Sequence, residues 1–172
     1  MKLSTQGEYG LRAMVYLATH AAEEGTKVHA QEISDVQDIP PHYLKQILAR
    51  LRTAGLVRSS RGPTGGHALG RPAAEISVGE VVSCLEGGIS GVDIILSMPC
   101  NIGVGPGHCV IKEMLLEVKR RIEDFLDETT LARMAERQHE LSDQKILVQP
   151  WFLCEEAPNP EESGGRKLGL NG

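Results

Sequence analysis

Apolar residues at Leu11, Met14, Val15 and Ala18 recur at the three- and four-residue spacing of one helix face. Thr5 stands ahead of them as an N-cap candidate with Glu8 three residues on, the arrangement of a capping box, and Gly25 offers a stop. The spacing therefore predicts a helix from Thr5 to about Ala22. A second, short helix is expected from Ala30 to Val36. In "IPPHYLKQILARLRTAGL" the positions Leu44, Ile47, Leu48 and Leu51 form one stripe to be buried, while His42, Lys45, Gln46, Ala49 and Arg52 fall on the opposite side. Pro40 and Pro41 suit the first turn of this third helix, where a missing N–H costs nothing, and Gly55 ends it.

The following "LVRSSRGPTGGHALG" places two short strand-like runs around a turn at residues 62–66, which reads as a β-hairpin. Helix, helix, basic helix and Arg-bearing hairpin is the order of a winged helix-turn-helix. The third helix is then expected in a major groove, and the hairpin along the backbone or the minor groove. "ISVGEVVSCLEGG" predicts a short helix capped by Ser77 and ended by Gly87 and Gly88. From Cys109 to about Phe125 a long helix is expected, with Val110, Met114, Val118, Ile122 and Phe125 on one side and charges on the other. Such a stripe, arriving after a complete DNA-binding head, is buried most economically against a second copy of the chain, and operators with two half-sites favour dimers. The alternative is that this helix folds back onto its own head.

The predicted architecture is mainly α with a small β-hairpin wing: a winged helix-turn-helix followed by a long dimerisation helix. Residues 1–76 form the DNA-binding head, and 77–138 hold a linker helix, a cysteine loop and the dimerisation helix. Residues 139–172 are a C-terminal tail expected to be partly disordered. Its end, "EEAPNPEESGGRKLGLNG", is rich in Pro, Gly and Glu, whereas "ILVQPWFLCEE" before it is apolar enough to dock.

Composition changes this picture in two places. Aromatics are only 3% of the 172 residues, so the core must be aliphatic. The net charge of −5 speaks against nucleic acid until it is divided along the chain. Residues 1–72 carry nine Lys/Arg against six Asp/Glu, and the remainder carries nine against seventeen. Residues 39–71 hold six basic side chains and no acidic one, the footprint of a basic head on an acidic body. The expected partner is a double-stranded DNA operator. Tyr43, Lys45 and Gln46 would turn toward base edges, Arg50, Arg52, Arg58 and Arg61 would meet phosphates or the minor groove, and His42 could do either. No apolar run is long enough for a membrane span and no signal peptide is legible, so a cytoplasmic location and no membrane partner are expected. The sequence holds no Ser-His-Asp order, Walker loop or His-Glu-x-x-His motif, and the cysteines lack Cys-x-x-Cys spacing, so no enzyme and no small-molecule substrate are expected.

What remains is "CNIGVGPGHC", Cys100 to Cys109, in a chain of four cysteines. Cys109 opens the long helix, where the helix dipole favours thiolate, the form required by iron, zinc or an oxidant. The glycines let the backbone wrap closely around a cluster and offer it N–H groups. They also permit Cys100 and Cys109 to approach as a reversible disulfide. A cluster, a thiol switch and a zinc site all stay open on the residues alone.

The stretches "MKLSTQGEYGLRAMVYLA", "IPPHYLKQILARLRTAGLVRSSRGPTGGHALGRPAAEISVGEVV" and "CVIKEMLLEVKRRIEDFLDETTLARM" resemble the Rrf2 family of bacterial transcription regulators, which includes iron–sulfur regulators of the IscR and NsrR type. They cover most of residues 1–135, and the helix–wing junction "RGPTGG" is the most specific part. The resemblance implies a dimeric winged helix-turn-helix protein, a long helix crossing its partner's, and in many members a cluster between that helix and the other subunit's head. Cluster-binding members usually carry three cysteines in this loop. Here there are two, with Cys109 matching the last, and the helix position that supplies a histidine ligand in some members is Lys112. The position that supplies an acidic ligand in others is Glu8. The implied ligands are Cys100, Cys109 and Glu8, around a 2Fe–2S rather than a 4Fe–4S cluster; for the fourth, Cys154, Cys84, Arg12 and a water are the candidates, with Cys154 favoured and Arg12 a poor ligand. A cluster-free regulator that senses through a Cys100/Cys109 thiol switch or a partner protein is the other expectation. Cys84, inside an apolar helix, reads as a core residue, and Glu8 closing a capping box needs no metal.

Overall fold

A computed structural model describes residues 3–20, 26–62, 65–87 and 109–143. Helix α1 (Thr5–Thr19) is followed by α2 (Ala30–Gln37) and α3 (Pro41–Thr53), with Pro41 in the first turn of α3. The wing is an antiparallel pair, β1 (Val57–Ser60) and β2 (Gly66–Leu69), in a register that sets Val57 opposite Leu69 and Ser59 opposite His67. Val28 bridges to His67 as a short third rung, with N–H···O distances of 2.8 and 2.9 Å, and this ties the hairpin to the segment leading into α2. Then come α4 (Val78–Glu86), α5 (Val110–Glu128) and α6 (Leu131–Asp143). The predicted winged helix-turn-helix is present.

The start of α1 corrects the sequence reading. The N-cap is Ser4, not Thr5: its hydroxyl accepts from the Gly7 N–H at 3.2 Å, and its own N–H and hydroxyl donate to the Glu86 carboxylate on α4. With Ser4 as cap, the third helical position is a glycine that has no side chain to reciprocate. Glu8 is displaced by one position and closes no capping box. The true capping box is on α4, where Ser77 and Glu80 exchange bonds at 3.1 Å.

The core is aliphatic. Met14, Ile33, Leu44, Ile47, Leu51, Ile76 and Val81 are fully enclosed, and the leucine and isoleucine stripe of α3 is its centre. Two glycines let α1 and α4 approach: a Cβ on Gly7 would lie 2.2 Å from Glu86 Oε1, and one on Gly10 would lie 2.0 Å from Leu85 Cδ1. Cys84 is half-buried against this core, and burial pushes its thiol up against the opposing pull of Arg50.

Two differences concern the C-terminal half. Helix α6 runs to Asp143, past residue 138 where the tail was expected to begin. Its apolar signal is thin, but Leu131 and Ala135 on one side enter the head's own core as α6 packs on α1. Arg137–Glu140 at 2.6 Å and Ser142 back-bonded to Gln138 at 2.8 Å hold its outer side. A single core therefore spans the expected boundary at 76/77. Helix α5 behaves oppositely. It touches α4 on one side, yet none of its residues is buried, and Val110, Met114, Val118 and Phe125 stand in solvent (74%, 57%, 43% and 45% exposed). Ile111 and Leu116 are exposed as well, and the polar side carries an ion-pair ladder, in which Glu117 meets Arg120 and Arg121 at 2.9 and 2.8 Å and Arg120 also meets Asp124 at 2.9 Å. Hydrogen bonds from the two arginines hold the Glu117 carboxyl down at about 2.

Candidate nucleic-acid interface

With Leu44, Ile47, Leu48 and Leu51 turned inward, helical spacing distributes the rest of α3 over a crest and two flanks. His42, Gln46, Ala49 and Thr53 form the crest, and all are exposed. Lys45 and Arg52 lie on the flank toward the wing. Tyr43 and Arg50 lie on the flank toward α1 and α4. There, Tyr43 packs edge-on to Tyr9 with ring centroids 6.2 Å apart, and the His42 ring leans on it at 4.6 Å. Arg50 donates to the Leu85 carbonyl at 3.1 Å and to Gln6 Oε1 at 3.2 Å, so two of its hydrogen bonds serve the head internally. Of the residues expected on DNA, His42, Lys45, Gln46 and Arg52 thus share one open surface, and Arg50 is held on the other side.

In the wing, Arg58 Nε donates to the Leu69 carbonyl at 3.0 Å, which anchors the stem of that side chain on the hairpin, while Arg61 stands exposed beside the turn. Between the wing, α3 and the start of α2 lies a cleft of about 450 Å³. Leu44, Leu48 and Ala49 make its apolar floor, and Gln31, Lys45, Arg52, Ser59 and His67 stand around it, with no carboxylate in its lining. His67 Nδ1 is 2.9 Å from the Ser59 hydroxyl. Burial, then the neighbouring Arg52 and His29, hold the His67 imidazole below its ordinary value of 6.5. Gln31, Ser59 and His67 did not emerge from the sequence. Hairpin register alone would have set Ser59 opposite His67, but the turn between them leaves more than one register open.

The candidate sensing residues are only partly in view. Cys109 is the N-cap of α5 and makes no capping bond through its sulfur. The Glu8 carboxylate is 62% exposed, with Arg12 Nη1 at 4.0 Å as its ion partner. Arg12 in turn donates to the Gln37 carbonyl, fastening α1 to the end of α2. Cys100 and Cys154 lie outside the described residues. Among those described, no three His, Cys, Asp or Glu side chains gather where they could hold a metal ion. Nor is any described helix long and apolar enough to cross a membrane.

Residues 3–137 match the Rrf2 family, described as an iron-dependent transcriptional regulator. The chain is 36% identical over 138 residues to the HTH-type transcriptional regulator IscR of Serratia proteamaculans, which spans 80% of this chain and 81% of that protein. Among solved structures it is similar to CymR, the global cysteine regulator of B. subtilis, with a TM-score of 0.66 and 31% identity over 80% of this chain and 98% of the other. It is likewise similar to T. potens IscR, with a TM-score of 0.67 and 35% identity over 89% of this chain and 96% of the other.

Proposed function

From the premise that this chain belongs to the Rrf2 family of transcriptional regulators, we propose that it is a homodimer that reads a DNA operator with α3 and the wing and answers to the state of its Cys100–Cys109 loop. Its relatives are regulators and it is not an enzyme. The observation that carries the reading is the open face of α3, where Lys45, Gln46 and Arg52 are exposed, together with the exposed wing arginine Arg61 and a cleft between α3 and the wing that no carboxylate lines. Gln46 suits an adenine edge, and the arginines suit phosphates or a narrow minor groove. Lys45→Ala and Arg61→Ala should each weaken binding to an operator selected from genomic DNA. Wild-type affinity in both would sink this assignment of the face.

The solvent-exposed stripe of α5 supports dimerisation. Val110, Met114, Val118 and Phe125 are apolar surface that a second copy of the same helix would remove from water, which suits the two-fold symmetry of two half-sites about 34 Å apart. Met114→Glu should shift the protein toward monomer in sedimentation equilibrium and weaken operator binding with it.

For sensing, Cys109 at a helix start and the exposed carboxylate of Glu8, which the correction at Ser4 leaves without a capping role, fit a ligand set completed by Cys100 and by Cys154. A cluster of the 2Fe–2S type bound there would supply an iron- and redox-responsive link. Cys109 begins the helix proposed to cross to the partner, and Glu8 lies in the first helix of the head. Ligands drawn from both subunits would hold one head at a set distance from its partner's α5, and so set the spacing of the two recognition helices. A coupling of about 1–3 kcal/mol, roughly 5- to 150-fold in operator affinity, is the usual scale of such a link. Two features support a second reading, a thiol switch between Cys100 and Cys109: the loop has only two cysteines, and the similar structures include a cysteine regulator. Iron, sulfide and absorption measured on protein purified without air separate the readings. Colourless, iron-free protein whose operator affinity changes with oxidant and returns with a thiol would establish the second. Glu8→Ala should keep DNA binding and lose its dependence on iron and redox state. If cluster content and redox response match wild type, Glu8 is no ligand.

A further inference from the structure

The cleft beside α3 combines an apolar floor with a cationic rim, and that pairing narrows what it can hold. A deoxyribose offers an apolar edge, and the phosphate next to it carries one negative charge. We propose that this cleft seats one sugar–phosphate unit of the DNA backbone and that seating it adds a proton to His67, a proposal that rests on the DNA-binding reading above.

His67 is placed firmly enough for this role. Its backbone N–H and carbonyl are both bonded to Val28, at 2.8 and 2.9 Å, so its main chain is fixed to the body of the head and not only to the hairpin. Ser59 meets Nδ1 at 2.9 Å from the cross-strand position. Basic side chains stand beside it in the cleft, and others lie on the adjoining hairpin surface. Arg52 and Lys45 face the cleft from α3, His29 caps α2, Lys27 precedes the Val28 rung, and Arg58 adjoins Ser59 on β1. Of the two carboxylates on the adjoining stretch of α2, Glu32 accepts from Tyr16 at 2.9 Å, and Asp35, which accepts at 2.8 Å from the cleft residue Gln31, is an anion behind the cleft wall that does not itself line it. In the protein without DNA, burial first, and then Arg52 and His29, hold the imidazole below its ordinary value and so favour the neutral ring.

A phosphate entering the cleft reverses the field. It offsets Arg52 and Lys45, and it rewards a protonated ring, in which one nitrogen donates to Ser59 and the other is able to donate to a phosphate oxygen. The proton comes from solvent and no covalent bond changes. The sign follows directly. A group whose pKa rises on binding takes up a proton as the complex forms, so affinity increases as pH falls through the window between the bound and the unbound values. One proton limits the slope to about tenfold in affinity per pH unit.

The test uses the full chain with a fluorescein-labelled, mixed-sequence duplex at fixed low salt, since a phosphate contact does not depend on sequence. Anisotropy should show Kd falling between about pH 8 and about pH 6, the range in which a histidine changes charge. His67→Gln should still bind at the upper end and show a shallower dependence, whereas His29→Gln should keep most of the slope. On wild type, the NMR titration of the His67 C2 proton should move to higher pH when duplex is added. The same pH dependence in H67Q and wild type, or the same titration midpoint with and without duplex, overturns the proton linkage while leaving DNA binding intact. No duplex binding at any pH or salt would instead overturn the DNA-binding reading, and this proposal with it.

Discussion

Arg50 and Arg52 sit two residues apart on one helix and meet different worlds. Arg50, on the flank toward α1 and α4, is bonded to the Leu85 carbonyl and Gln6. Arg52, on the flank toward the wing, borders an open cleft. Both read as DNA contacts in the sequence because both are basic and both fall outside the leucine stripe. The structure separates them by what stands beyond the helix: a packed neighbour on one side, solvent and a hairpin on the other. A charged residue outside a core stripe is therefore a surface candidate only where no second element covers that flank.

Substitutions along α3 can sharpen this contrast or break it. Leu51→Ala, in the fully enclosed seam between the flanks, should cost about 2–5 kcal/mol of unfolding free energy, with DNA binding lost only as far as folding is lost. Chemical denaturation measures it. Arg50→Ala should cost about 1.5–3 kcal/mol, the worth of a charge-assisted hydrogen bond to a partly buried carbonyl. Its binding should keep the wild-type salt slope. A changed slope with unchanged stability would return Arg50 to the DNA face. Gln46→Ala, on the crest, should leave stability alone and relax discrimination at one base pair by about 1–3 kcal/mol, read by binding to operator variants. Arg52→Ala should weaken binding to all sequences alike and reduce the slope of log affinity against log salt by about one, with the melting temperature unmoved. If Arg52→Ala lowers stability as Arg50→Ala does, the two flanks are not different in kind.

A similar division separates α5 from α6. The apolar repeat of α5 was plain in the sequence, and the structure leaves that stripe in solvent. No helix was expected at α6, yet Leu131 and Ala135 are buried in the head. Periodicity reports that a face is apolar. It does not report whether the same chain covers that face.

The positions of five helices, the hairpin, the basic run of 39–71 and the family resemblance were within reach of the sequence, and helix α6 was not. Each depends on residues close together in the chain: stripe spacing, helix-ending glycines, turn composition and local charge. The N-cap of α1 was misplaced because two adjacent hydroxyl residues, Ser4 and Thr5, are equivalent locally, and the carboxylate that favours Ser4 is Glu86, 82 positions away. The cleft was invisible for the same reason. Gln31, Lys45, Arg52, Ser59 and His67 come together only when the Val28–His67 rung clamps the wing against α2 and α3. What the sequence determined by itself is the identity of the elements and the sign of their charge, because short-range sterics, capping and amphipathicity act within a few residues. Which arginine is bonded within the head, which borders the open cleft, and which histidine lies beside it were decided by tertiary packing, because hydrogen-bond partners and local fields come from whatever chain segments the core draws together.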